Sequence, residues 1–221
     1  MGGTLTHLPA IGIEGHTASG HGSDDHPMRI MTRRAAGLVG PAWDDTARAE
    51  VAAYFGAMAG EWHTRTSPER DAVVVDALER GLPDLGRADV CVELGSGIGA
   101  YTQALAGRWQ RVLAVEVALE MLLLAPPEPG HRLLADGAGL PLVDGAASAV
   151  VLVNCFLFPA EVDRVLGDDG VVVWVNSSGT QTPIHLTPDE VVTALPGEWT
   201  AVASEAGEGL WCVATRNLDS P

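Results

Sequence analysis

The strongest constraint in this sequence is a cluster of three glycines, Gly95, Gly97 and Gly99, set between an apolar run and a helical segment. Residues 88–94, ADVCVEL, predict a buried strand, and residues 100–108 predict a helix. A strand that breaks into glycines and resumes as a helix turns backbone N–H groups toward a common point. Glycine lets a ligand approach that point because no Cβ intervenes. Such a unit needs neighbours, because a strand apolar on both faces must be covered by helices on both.

The downstream pattern supplies them. Strands are expected at 111–117, 131–135, 147–154 and 170–176, with helices at 118–125 and 159–166 between them. Thr187 and Pro188 predict a capped helix over 187–195. EWTAVASEA and GLWCVATR then flank a turn from Glu205 to Gly209, which reads as an antiparallel hairpin appended to a parallel sheet. Upstream, helices are expected over 44–60 and, behind Ser67 and Pro68, over about 68–80. Residues 1–40, rich in Gly, His, Ser and Asp and without periodicity, are expected to be a disordered tail in which Met28 and Met31 are further candidate starts. The organisation expected is a tail (1–40), a helical cap (41–88) and a ligand-binding α/β domain (89–217).

Charge and cysteine usage narrow the function classes. Lys and Arg number 13 against 29 Asp and Glu, a formal charge of −16, and such a surface repels phosphate backbones. No nucleic-acid partner is therefore expected. The stretches around Cys91, Cys155 and Cys212 hold no CxxC pair, so buried reduced thiols, a cytoplasmic location and no metal site are expected. No apolar run reaches membrane-spanning length, and no signal peptide is read at the N-terminus.

The glycine loop alone leaves its ligand open. Gly95, Gly97 and Ala100 satisfy the dinucleotide fingerprint, whereas Gly95, Gly97 and Gly99 satisfy a form found with S-adenosylmethionine (SAM). Glu116, about 20 residues after Gly95, offers a carboxylate to ribose hydroxyls of either ligand. Glu93 separates them, since a carboxylate two residues before the first glycine can anchor a charged methionine end, and dinucleotide loops are usually apolar there.

Further segments carry a resemblance. Glu116-x-Ala118-x-x-Met121-Leu122-x-x-Ala125, Ala135-Asp136-Gly137-Ala138-x-Leu140-Pro141, Val143-Asp144-Gly145 through Val151, and Glu161-x-x-Arg164-Val165-Leu166 through Gly170 follow the loop in order. Together they resemble the motifs of class I SAM-dependent methyltransferases of the small-molecule type. Ala118 stands where Ser is common, and Asp168-Asp169 where Pro-Gly is usual. The resemblance implies a Rossmann-like α/β fold with a seven-stranded, mostly parallel sheet ordered 3-2-1-4-5-7-6, closed by an antiparallel hairpin and flanked by helices on both faces. It implies a cofactor set of Glu93, Gly95, Ser96, Gly97, Gly99, Glu116, Val117, Met121, Asp136, Gly137, Ala138, Asn154 and Phe156, with Asp136 near the adenine amine. S-adenosyl-L-homocysteine (SAH) would be the product.

The activity expected is methyl transfer to an O, N or C atom of a small molecule by a monomer or homodimer. The alternatives are a non-catalytic SAM-binding module or partner subunit and a nicotinamide-dependent oxidoreductase. The absence of lysine disfavours the last. His63 and Asn154 are the catalytic candidates, with Trp62 placed to close over the cofactor. Cys155 and His185 are weaker possibilities in the loops after strands four and five.

Overall fold

The computed structural model describes residues 3–18, 22–82 and 89–216. The expected domain boundary at 88 and the domain end at 217 lie outside these residues. The elements are β1 (Thr4–His7), α1 (Pro27–Ala35), α2 (Asp45–Met58), α3 (Pro68–Asp76), β2 (Val90–Leu94), α4 (Thr102–Ala106), β3 (Arg111–Glu116), α5 (Leu119–Leu124), β4 (His131–Leu134), β5 (Ala147–Val153), α6 (Pro159–Val165), β6 (Leu166–Asn176), α7 (Pro188–Ala194), β7 (Trp199–Ala206) and β8 (Gly209–Arg216). A 3-10 turn, Ala59–Arg65, joins α2 to α3, and α3 widens into a π turn over Ala77–Gly81.

The strands form one sheet in the order β1-β7-β8-β6-β5-β2-β3-β4. Without β1 this is the expected order, with β8 antiparallel to both β6 and β7 and the other pairs parallel. Side-chain alternation shows why both faces need helices. Val92, Leu94, Val150, Leu152, Val172 and Trp174 enter one apolar cluster, while Cys91, Ala149, Val151, Val171 and Val173 enter the other. Val151 is wholly buried. Trimming it to alanine removes two methyl groups, about 1.6 kcal/mol of transfer energy before any cavity cost.

The described residues among the first 40 depart from the expectation of a disordered tail, and the sheet has eight strands rather than seven. β1 pairs in parallel with β7, Leu8 N–H donates to Ala203 O at 2.8 Å, and Gly207 N–H donates to Ile11 O at 2.8 Å. The strand is held by main-chain hydrogen bonds and its side chains are mostly exposed, so it leaves no hydrophobic pattern to read. α1 buries Arg29, whose Nη2 donates to the carbonyls of Thr180 and Thr182, the latter at 3.0 Å. Arg33 of α1 pairs with Glu190, the residue that also completes the capping box of α7 with Thr187. A second anchor is Asp76, buried and accepting from Trp211 Nε1 at 2.6 Å. It also pairs with Arg80, whose other nitrogen reaches Pro9 O at 2.7 Å.

Candidate active site

The carboxyl ends of β2, β3, β4 and β5 converge on a cavity of about 360 Å³, within the usual range for small-ligand sites. Two walls form it. One is the sheet edge with its loops, and the other is the segment from α1 to α3.

The glycine loop follows β2. Gly95, Gly97 and Gly99 all have positive φ, 70°, 55° and 78°, a conformation that side chains with a Cβ rarely adopt. At Gly95 an added Cβ would collide with Cys155 Sγ, so β2 and the β5 loop meet only because the side chain is absent. At Gly97 the nearest atom to such a Cβ is Trp62 Nε1 at 3.6 Å, so the position opens into the cavity beneath the indole. Ser96 also lines the cavity, and its buried Oγ has no hydrogen-bond partner.

Three carboxylates stand along this edge. Glu93 is 3% exposed and accepts from Thr102 Oγ1 at 2.5 Å. Burial pushes its carboxyl up to about 7, against the opposing Thr102 hydrogen bond and with a smaller push from Glu116. Glu116 accepts from Gly97 N–H at 2.9 Å through one oxygen, and from Val117 and Ala118 N–H at 2.9 and 2.8 Å through the other. Burial raises it too, and the three N–H donors oppose that. Asp136 accepts from Ala138 N–H at 2.9 Å and from Trp43 Nε1 at 3.2 Å, with Arg48 Nε 3.9 Å away.

The structure brings Glu93, Gly95, Ser96, Gly97, Glu116, Val117, Met121, Asp136, Gly137, Asn154 and Phe156 onto the cavity wall. Gly99 and Ala138 are not on it. Gly99 turns the loop against Pro126, and Ala138 is exposed, contributing its N–H to Asp136. Gly137 permits close packing, since a Cβ there would sit 2.7 Å from the Phe158 ring. Asn154 adopts φ 50° and ties β5 to β6, accepting from Ser177 N–H and donating to Ser177 Oγ, both at 2.9 Å. Trp62 lies on the wall, packed edge-on against Phe55.

The other catalytic candidates fall elsewhere. His63 is exposed and not part of the wall. His185 is buried outside the wall, with Nδ1 2.8 Å from Asn176 Oδ1. Because Asn176 Nδ2 donates to Ile184 O, Oδ1 must accept, so Nδ1 carries the proton. Burial, with Arg29 nearby, lowers His185 to about 4, and it is neutral at physiological pH. Burial raises the Cys155 thiol far above neutrality, which leaves it protonated and unreactive behind Gly95.

Sequence reasoning pointed to residues 41–68 and 177–187 as pocket walls and to Trp62 above the cofactor, and it missed the other individual side chains of the second wall. Trp43 packs on Phe158 and Phe156 with ring centroids 4.9 and 5.7 Å apart. His26, Met28, Tyr54, Arg65 and Arg70 also face the cavity. The signal available was Trp43 immediately before the Asp44 cap of α2, a large aromatic with no place on the helix's own buried face.

Residues 92–173 match a family model described as "Methyltransferase domain". The fold is that of class I SAM-dependent methyltransferases. The chain is similar to DhpI in its SAH complex (TM-score 0.61, 23% identity, 76% of this chain and 95% of that one). It is also similar to a SAM-dependent methyltransferase from Aquifex aeolicus (TM-score 0.57, 16% identity, 71% and 97%). A third match lies in the complex between the Haloferax volcanii Trm112 methyltransferase activator and a putative methyltransferase (TM-score 0.48, 21% identity, 55% of this chain). There the chain spans 59% of its counterpart's length. No curated protein sequence matches the chain.

Proposed function

We propose that the chain binds SAM along the carboxylate edge and methylates a small molecule held against the α1–α3 wall. The observation that carries this reading is the chemistry of the cavity. A cofactor with an ammonium, a ribose and an adenine amine meets Glu93, Glu116 and Asp136 in that order along one sheet edge. Gly97 leaves a cradle that a Cβ would fill, and the Ser96 hydroxyl is buried there without a partner. When bound, SAM supplies a methyl group activated by a positively charged sulfonium.

The protein's share of the work is placement. Trp62, Phe55 and Trp43 cover the edge and exclude water, while Asn154 fixes the tips of β5 and β6 on which an acceptor rests. Holding two reactants in register is worth roughly 7–11 kcal/mol of barrier. The wall carries no histidine free to act as a base. His26 Nδ1 accepts from Met28 N–H at 3.1 Å to cap α1, which leaves its proton on Nε2.

The size and enclosure of the cavity favour a small acceptor over a protein or RNA. The test is transfer from methyl-labelled SAM to fractionated cell extract. Label is expected in the small-metabolite fraction. Label in protein or RNA would contradict the reading, and SAH binding without transfer to any fraction would identify a non-catalytic SAM-binding module instead.

A further inference from the structure

The two walls of the cavity carry opposite charge. Every carboxylate on the wall, Glu93, Glu116 and Asp136, belongs to the sheet edge. Among the described residues the facing wall contributes two guanidinium groups, Arg65 and Arg70, and no carboxylate. This arrangement is unusual in a chain of formal charge −16 with 13 cationic side chains in all.

Arg65 closes the 3-10 turn after α2, and its guanidinium lies over the Trp62 indole, 5.5 Å from the ring centroid. Its other side-chain contact is the Met58 sulfur at 3.9 Å. Among the described residues no carboxylate pairs with it. Arg70, one turn into α3, is held by the Arg65 carbonyl and by Ser178 Oγ at 3.1 Å, so its charge is fixed on the cavity wall near Tyr101. A guanidinium stacked on an aromatic face keeps its N–H fork pre-organised for a planar or tetrahedral oxyanion.

Resting on the methyltransferase reading above, we propose that the methyl acceptor is an organic anion whose carboxylate or phospho-acid group is bound by Arg65 with Arg70. Among the described residues the one histidine on the wall, His26, is engaged in capping α1, which agrees with this, since an acid oxygen is already a deprotonated nucleophile at neutral pH and needs no imidazole. The carboxylate edge repels the same anion, so the charge pattern also sets the order of the two ligands within the cavity.

The test uses the full chain saturated with SAH and titrated calorimetrically with succinate, methylphosphonate and neutral succinamide. Saturable binding of at least one of the two anions, with none of succinamide, is the expected result. Arg65→Gln should weaken that anion at least tenfold and leave SAH affinity within twofold, and Arg65→Lys should restore part of it. Arg65 is exposed, so the substitution spares the core. Equal binding of succinamide, no saturable anion binding, or an unchanged affinity in Arg65→Gln would overturn the inference. Failure of SAH itself to bind would instead overturn the methyltransferase reading and this inference with it, whereas SAH binding without anion binding removes only the anion.

Discussion

The two walls of the cavity are built by different means. The sheet edge is assembled from short-range sequence: a strand, a glycine loop and a helix in immediate succession, with each carboxylate at or just beyond a strand end. The facing wall is assembled from long-range contacts. Arg29 reaches Thr180 and Thr182, Trp43 reaches Asp136, and Arg70 reaches Ser178. The first kind of wall is set by local pattern and is the one proposed to hold the cofactor. The second depends on the whole chain having folded, and it is the wall free to differ between acceptors.

Removing the first 30 residues should break this comparison most severely. A chain beginning at Met31 loses β1 along β7, the buried Arg29 anchor and the hydrogen bond from Arg80 to Pro9. We expect thermal unfolding more than about 10 °C lower, on the basis of roughly 2–4 °C per kcal/mol at this chain length. An unchanged melting temperature and activity would show that the N-terminal segment is dispensable.

Within the sheet edge, Glu116→Ala strips three backbone N–H groups of their acceptor as well as removing the carboxylate proposed to face the ribose. Each unsatisfied buried donor costs about 1–3 kcal/mol. That cost falls on stability, and with the loop at Gly97 untethered and the carboxylate gone SAH affinity should fall by about 100-fold in calorimetry, an equivalent of roughly 2.7 kcal/mol.

Glu93→Gln should cost about tenfold, a charged contact exchanged for a neutral one, and it sharpens the comparison through pH. In the folded protein Glu93 titrates near 7, above its ordinary value of 4.5, so its burial lowers stability progressively as pH rises through that window. A cationic ligand beside it favours the ionised form. SAH affinity should therefore rise between pH 6 and pH 8 in the native protein and stay flat in Glu93→Gln. His185 acts in the opposite sense and away from the cavity. Its folded value near 4 lies below its ordinary 6.5, so the stability it contributes is complete above about 6.5 and is lost as pH falls toward 4. The smallest effect belongs to His63→Ala, where exposure and distance from the wall predict SAH affinity and transfer rate within twofold of native.

The division between the walls also separates most of what the sequence reveals from what it hides, with Trp62 the exception on the second wall. Glu93, Glu116 and Asp136 are readable because their chemistry is tied to local spacing. The Glu161-x-x-Arg164 segment is readable too, and the structure explains it. Arg164 donates to the carbonyls of Leu140 and Leu142 and pairs with Asp144 and Glu161, clamping the loop beyond Asp136. β1 is not readable, because an edge strand held by backbone hydrogen bonds needs no apolar alternation. α1 hides behind its arginines, one of which is buried by carbonyl partners 151 and 153 residues away. His63 and His185 attract notice as chemically capable residues, yet only tertiary packing decides which capable side chains face a cavity.

The most direct measurement is calorimetric titration of the full chain with SAH, beside NAD and NADP, for the native protein and for Gly97→Val. Saturable binding of SAH alone is the expected result, and it should be lost when a branched side chain occupies the cradle under Trp62. Nicotinamide binding in its place, or SAH affinity unaffected by valine at position 97, would contradict it.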